Sequence, residues 1–151
     1  MPAFRQCATN VLVLRGIPVL GDAVNLAYRL EGLTKEYGVS LIIGEDTQRA
    51  IPEIICRELD RALLKGKANA VTIYEPLGRT LAYHAAELGE WDKALATSRE
   101  GRFAEAEVAF AALAAAHPAQ KLYALYRARY ATFRIEPPAP DWDSATKFAV
   151  K

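Results

Sequence analysis

Only two cysteines occur in the 151 residues, Cys7 and Cys56, which excludes a disulfide framework and reads as reduced, intracellular thiols. Histidine is as scarce: His84 and His117 are too few for a His-rich metal site. Neither sign of charge dominates. Nineteen Lys and Arg stand against eighteen Asp and Glu, so no global field draws in nucleic acid or an anionic membrane. The longest purely apolar run, residues 108–116, is too short to cross a bilayer, so no direct membrane segment is expected. No signal-peptide pattern is visible, since Arg5 and Asn10 interrupt the start and no small-residue cleavage site follows an apolar stretch. Acids are missing early as well: residues 1–15 hold neither Asp nor Glu, and Asp22 is the first. What is present is a globular composition, 52% hydrophobic and 25% charged, of a length that suits one domain or two small ones. A cytoplasmic chain is expected.

The grammar changes near residue 79. Before it, Val, Ile and Leu alternate with Gly and turn residues. After it alanine takes over, with 17 of the 52 residues in 81–132, which favours helix. In the first half, residues 11–14 are a weak strand candidate and residues 22–37 a good helix, with Val24, Leu26, Ala27, Leu30 and Leu33 as its apolar stripe. Asp22 suits its N-cap and Gly38 its left-handed C-terminal position. A buried strand over 39–43 and a short helix over 45–51, ended by Pro52, should follow. Strands over 57–64 and 70–75 flank a hairpin loop at 65–69 with Gly66 in the turn. That order predicts an α+β fold with helices on one face of a largely antiparallel sheet.

The second half reads as helices over 80–97, 103–116 and 120–135, broken at Gly101 and closed at His117-Pro118. Gly101 and Phe103, with Ala106, Phe110 and Leu113 on one face, resemble the second half of a tetratricopeptide repeat, although the first helix matches poorly. One repeat cannot bury its own face, so these helices should pack on the first half or on a partner. Residues 136–140 form a stiff Pro-rich spacer, and 141–151 a tail whose Trp142 either docks or is loosely held.

Asn25 and Arg29 stand at i and i+4 of the first good helix and share one face. An amide and a guanidinium one turn apart can grip an anionic or sugar-bearing ligand, the guanidinium by a bidentate clamp. Spacing alone favours an ordinary solvated face. The hairpin alone likewise makes Lys65 a turn lysine in solvent.

The run G-D-A-V-N-L-A-Y-R-L-E-G-L-T-K-E-Y-G resembles the signature of class III adenylate/guanylate cyclases. S-L-I-I-G-E-D-T-Q-R, C-R-E-L-D-R-A-L-L-K-G-K and I-Y-E-P-L follow in the family's order, so the resemblance covers roughly residues 16–78. The downstream helices and Trp-Asp tail resemble the C-terminal extensions of bacterial, sensor-linked members. The resemblance implies a partial ferredoxin-like nucleotidyl cyclase sandwich over 16–79, a helical extension over 80–135, a spacer and tail over 136–151, and an unmatched segment 1–15. It also implies conversion of ATP, with GTP as the alternative, to a cyclic nucleotide and pyrophosphate at a site shared by two subunits. On that pattern Asn25 orients the ribose, Arg29 stabilises charge on the α-phosphate and Lys65 binds the terminal phosphates. The Mg²⁺ or Mn²⁺ of the family is held by two aspartates that lie well upstream of the Asn/Arg helix, and this chain shows no counterpart. A homodimer mate or cyclase partner subunit would have to supply them, and this chain alone is expected to be inactive. Pro18, at the position that selects the base, offers neither a side-chain donor nor a backbone N–H, so adenine and guanine are not distinguished.

The smaller candidates carry less. Cys56 reads as a buried small residue, and His84 and His117 as helix-surface residues. Glu58 and Asp60 should share a strand face opposite Leu59, with no acid/base partner. Arg127 and Arg129, among Tyr123, Tyr126 and Tyr130, read as a solvated face over packed tyrosines. The competing functional reading is a non-catalytic interaction module, in which the helices bind a partner and the cyclase-like part is a scaffold.

Overall fold

The computed structural model describes residues 21–65, 68–80 and 84–148. The strand expected at 11–14, Cys7, Pro18 and the hairpin Gly66 lie outside these residues. Helix α1 (Asp22–Tyr37) has the expected bounds, but Gly21 rather than Asp22 occupies its N-cap. Leu30, Leu33 and Tyr37, spaced by three and four residues, are buried. Gly38 closes the helix in the left-handed region at φ 69°, and the Val39 N–H returns to Thr34 O at 3.0 Å.

The buried strand expected over 39–43 is mostly irregular. Val39 and Ile42 are buried, yet only β1 (Ile43–Gly44) pairs. Gly44 then starts helix α2 (Glu45–Ala50), whose Arg49 pairs with Glu45 at 2.7 Å. The hairpin of β2 (Ile55–Leu64) and β3 (Val71–Gly78) follows, and β3 runs on through Pro76 to Gly78. Helices α3 (Ala85–Arg99), α4 (Phe103–Ala116) and α5 (Lys121–Ile135) complete the helical part.

The tail holds a strand. Residues Ala145–Phe148 form β4, parallel to β2, and the sheet order is β1-β3-β2-β4. Trp142 docks: its ring lies 5.4 Å from Phe133 and 5.9 Å from Phe103, and its Nε1–H donates to Ala145 O. The fold is α+β, a four-stranded mixed sheet with a helical C-terminal part.

A β-bulge decides what β2 buries. Arg57 opposes Glu75 and Asp60 opposes Ile73, with Leu59 as the extra residue between them. Positions 73 and 75 share one face of β3, so Arg57 and Asp60 share one face of β2, and Asp60 does not lie opposite Leu59 as simple alternation requires. Both are buried, together with Leu59, Ala62 and Leu64. The other edge of β2 is covered in two ways. β4 pairs with Arg61 to Leu64. Upstream, the Trp91 Nε1–H donates to Glu58 O at 2.7 Å and the Tyr126 hydroxyl donates to Leu59 O. Aromatic donors from α3 and α5 thus satisfy carbonyls where β4 does not reach. One continuous core joins Leu30 and Leu33 of α1 to Trp91, Phe110, Tyr126 and Phe148.

Candidate functional site

The exposed face of α1 carries Asn25 and Tyr28, with half-buried Arg29 beside them. Leu26 and Leu30, on the neighbouring face, lie 3.7 and 3.8 Å from where a Cβ on Gly44 would sit. That contact sets α1 close against the end of β1. The Arg29 guanidinium donates through Nη1 to the backbone carbonyl of Lys65, 36 residues later, at the tip of the hairpin. Two of the three sequence-derived residues are therefore adjacent, and Asn25 stands one helical turn from Arg29. Lys65 is exposed. Among the described residues, the Lys65 carbonyl is the only hydrogen-bond partner of Arg29, taken by one of its five N–H donors.

Chemically this face suits an anion. It presents a guanidinium, which repels a metal cation, beside one neutral amide, and the exposed Lys65 follows on the adjoining hairpin. Divalent ions do not fit it. Among the described residues, no group of three or more His, Cys, Asp or Glu is placed to hold a metal.

Two buried polar networks are built on β2, at Arg57 and at Asp60, and sequence reasoning missed both. In the first, Arg57 donates to Glu75 at 2.6 and 3.0 Å, approaches Glu87 at 3.4 Å, and donates to the Tyr123 hydroxyl, which itself donates to Glu87. The guanidinium also lies over the Tyr123 and Trp91 rings, at 5.3 and 5.8 Å. Burial, then the hydrogen bond to Glu87, pushes the Tyr123 hydroxyl above the usual phenol range.

In the second, the Asp60 Oδ2 accepts from Tyr37 at 2.7 Å, Arg129 at 2.7 Å and Thr146 at 2.8 Å, while Oδ1 accepts the Arg61 N–H at 2.8 Å. Burial, then the Asp60 charge, holds the Tyr37 hydroxyl well above its usual range. Arg129 is therefore no solvated residue. It is ion-paired to Asp60 and stacked 4.5 Å over Tyr126, whereas Arg127 is exposed. The tyrosines at 123, 126 and 130 are packed as expected. A hint of the second network was present in the sequence, since an acid amid the apolar residues 59–64 needs a partner, but nothing there named Arg129.

The remaining candidates are quickly placed. Cys56 is half-buried, its thiol shifted up by burial. His84 precedes α3 and His117 follows α4, both partly covered, and His117 Nδ1 lies 4.0 Å from Glu87.

A stretch of 61 residues, 38% of the chain, is 48% identical to "Adenylate cyclase" of Anabaena cylindrica and covers 12% of that protein. Another of 60 residues, 37% of the chain, is 48% identical to "Adenylate cyclase, terminal-differentiation specific" of Dictyostelium discoideum and covers 3% of it. A third, 71 residues or 46% of the chain, is 37% identical to "Adenylate cyclase 1" of Rhizobium meliloti (strain 1021) and covers 11% of it. The matched stretch is similar to adenylate cyclases. The chain thus spans about an eighth or less of these curated relatives. No family model matches the chain, and no solved structure matches it. Among the described residues, no helix is long and apolar enough to cross a membrane.

Proposed function

We propose that this chain carries the transition-state-stabilising side of a nucleotidyl cyclase site, acting on ATP or GTP in intracellular signalling. In that reaction the ribose 3′-hydroxyl attacks the α-phosphorus, the α–β bridging bond breaks, and pyrophosphate leaves as the cyclic phosphodiester closes. Asn25 hydrogen-bonds the ribose and fixes the hydroxyl's approach. Arg29 donates to the α-phosphate oxygens, where negative charge grows in the transition state. Lys65 neutralises the terminal phosphates. The carboxylates that hold the divalent ions come from a second cyclase subunit, so the chain by itself is inactive. Helices α3 and α4 are read as a tetratricopeptide-like pair built onto the cyclase-like part, and the cytoplasm as its place of action.

The observation that carries this reading is the meeting of Arg29 with Lys65 in a chain about half identical, over some 60 residues, to adenylate cyclases. It is tested by complementation. A cyclase domain that keeps its metal aspartates, but has Ala in place of its own Asn and Arg, is mixed with this chain. Cyclic AMP formation from ATP is expected from the mixture and from neither component alone. Association of the two chains without activity would sink the proposal and favour an interaction module.

A further inference from the structure

Helix α1 is referenced to β2 at its middle and at its C-terminal end. At its middle, Arg29 holds the Lys65 carbonyl, immediately after β2. At the C-terminal end, Tyr37 donates to Asp60 within β2 at 2.7 Å. The same Asp60 oxygen accepts from Arg129 of α5 at 2.7 Å and from Thr146 of β4 at 2.8 Å. Around this junction the Tyr37 ring lies 6.0 Å from Phe148 of β4, and Gly38 abuts Lys121 at the start of α5. Three elements distant in sequence therefore meet on one carboxylate that is only 5% exposed.

A charged oxygen in a dry site is a stiff connector. Its hydrogen bonds are strengthened by the low local dielectric, and displacing any one donor removes a charge-assisted hydrogen bond that no water replaces cheaply in a dry site. A helix moves as a rigid rod at about 1.5 Å per residue. Small displacements of Tyr37 therefore tilt α1 about its buried middle, at Leu30 and Leu33, and shift Asn25, five residues beyond Leu30 toward the other end, relative to Arg29 beside the pivot. Such shifts matter, because a catalytic group misplaced by about 1 Å can cost on the order of a hundred-fold in rate.

We propose that Asp60 is a positioning residue that couples α5 and β4 to α1, so that α5 and β4 set where Asn25 stands relative to Arg29. The catalytic part of this inference rests on the cyclase reading above; the mechanical part does not.

The experiment uses the full chain, with Thr146→Val and Tyr37→Phe, each of which removes one hydrogen bond with little change of shape. Asp60→Asn serves as the conservative replacement of the junction. Phe133→Leu, in the aromatic cluster, serves as a stability control. Hydrogen exchange across residues 22–37 is measured first. Thr146 lies on β4, yet its replacement is expected to speed exchange in α1 severalfold, beyond any effect of Phe133→Leu at equal loss of stability. Unchanged α1 exchange in folded Thr146→Val and Tyr37→Phe would overturn the coupling. If Asp60→Asn fails to fold, these two single-bond variants still decide.

Kinetics of the complemented cyclase come second. Tyr37→Phe is expected to lower kcat roughly 2- to 30-fold, the span of typical long-range couplings, with KM for ATP within about twofold. Faster α1 exchange with unchanged kcat would overturn the catalytic part. A wild-type chain that never rescues activity would instead remove the cyclase reading, while the exchange data still decide the coupling.

Discussion

Gly38 and Lys121 meet with no room for a side chain between them: a Cβ on Gly38 would lie 2.6 Å from the Lys121 Cβ. The contact closes α1 and starts α5 at the same point, so one glycine is fixed by two demands, a left-handed backbone and a close approach.

Gly38→Ala is therefore expected to destabilise the chain by more than the roughly 1–2 kcal/mol of left-handed backbone strain alone. Gly101 supplies the comparison. Its φ is 78° but nothing lies within 4 Å of a Cβ there, so Gly101→Ala should show the backbone cost only. Urea denaturation of both variants measures the difference. Equal losses would remove the packing role assigned to Lys121.

Arg57 is 3% exposed, and its loss would leave the Glu75 and Glu87 carboxylates without their cation. Arg57→Met should cost about 3–5 kcal/mol, as breaking one side of a buried ion pair does. Tyr123→Phe, which removes a hydroxyl but no charge, should cost roughly 1–2 kcal/mol. A ranking in the opposite order, read from denaturant midpoints, would show that the network depends on the phenol and not on the guanidinium.

At alkaline pH the buried tyrosines should dominate stability. Burial is the first cause that raises Tyr37, Tyr123, Tyr126 and Tyr130 above the usual phenol value, so the folded state holds those protons more tightly than the unfolded chain does. Their contribution is complete below about pH 10, the ordinary phenol pKa, and is lost as pH rises beyond it. Absorbance at the tyrosinate band should show these four ionising only together with the loss of helical circular dichroism. Smooth ionisation of all seven tyrosines with the fold intact would contradict the burial.

Removal of residues 141–151 takes away β4 and Trp142, reopening the β2 edge from Arg61 to Leu64 and leaving Asp60 without Thr146. An exposed strand edge pairs with other chains. The truncated chain should melt earlier and self-associate, as judged by light scattering. A monodisperse truncation with unchanged melting would mean that β4 is dispensable.

In the complemented cyclase, Arg29→Ala should reduce kcat by on the order of 10²–10³, because its hydrogen bonds strengthen as charge develops on the α-phosphate. Lys65→Ala should chiefly raise KM, since a grip on terminal phosphates is shared by ground and transition states. The two constants, measured for each variant, separate the roles. A Lys65 effect confined to kcat would reverse the assignment.

Periodicity and local chemistry determined most elements. The apolar stripe and closing glycine bounded α1 at residues 22–37, and the alanine-rich run between Gly101 and Pro118 bounded α4 at 103–116. Helix signals are carried by neighbours three and four residues apart, so a single stretch contains them. Asn25, Arg29 and Lys65 were singled out by resemblance to class III cyclases, not by spacing, which alone reads as a solvated helix face and a turn lysine; the contact of Arg29 with the Lys65 carbonyl is tertiary. Tertiary structure alone decided the rest. One extra residue at Leu59 reversed the facing of Asp60, and strand alternation cannot announce a bulge that exists only relative to β3. Residues 145–148 became a strand because the β2 edge was there to pair with, not because four residues prefer to be extended. Arg129 left solvent because Asp60, 69 residues away in sequence, offered a buried charge to match its own, and such pairs are defined by proximity in space that no local pattern records.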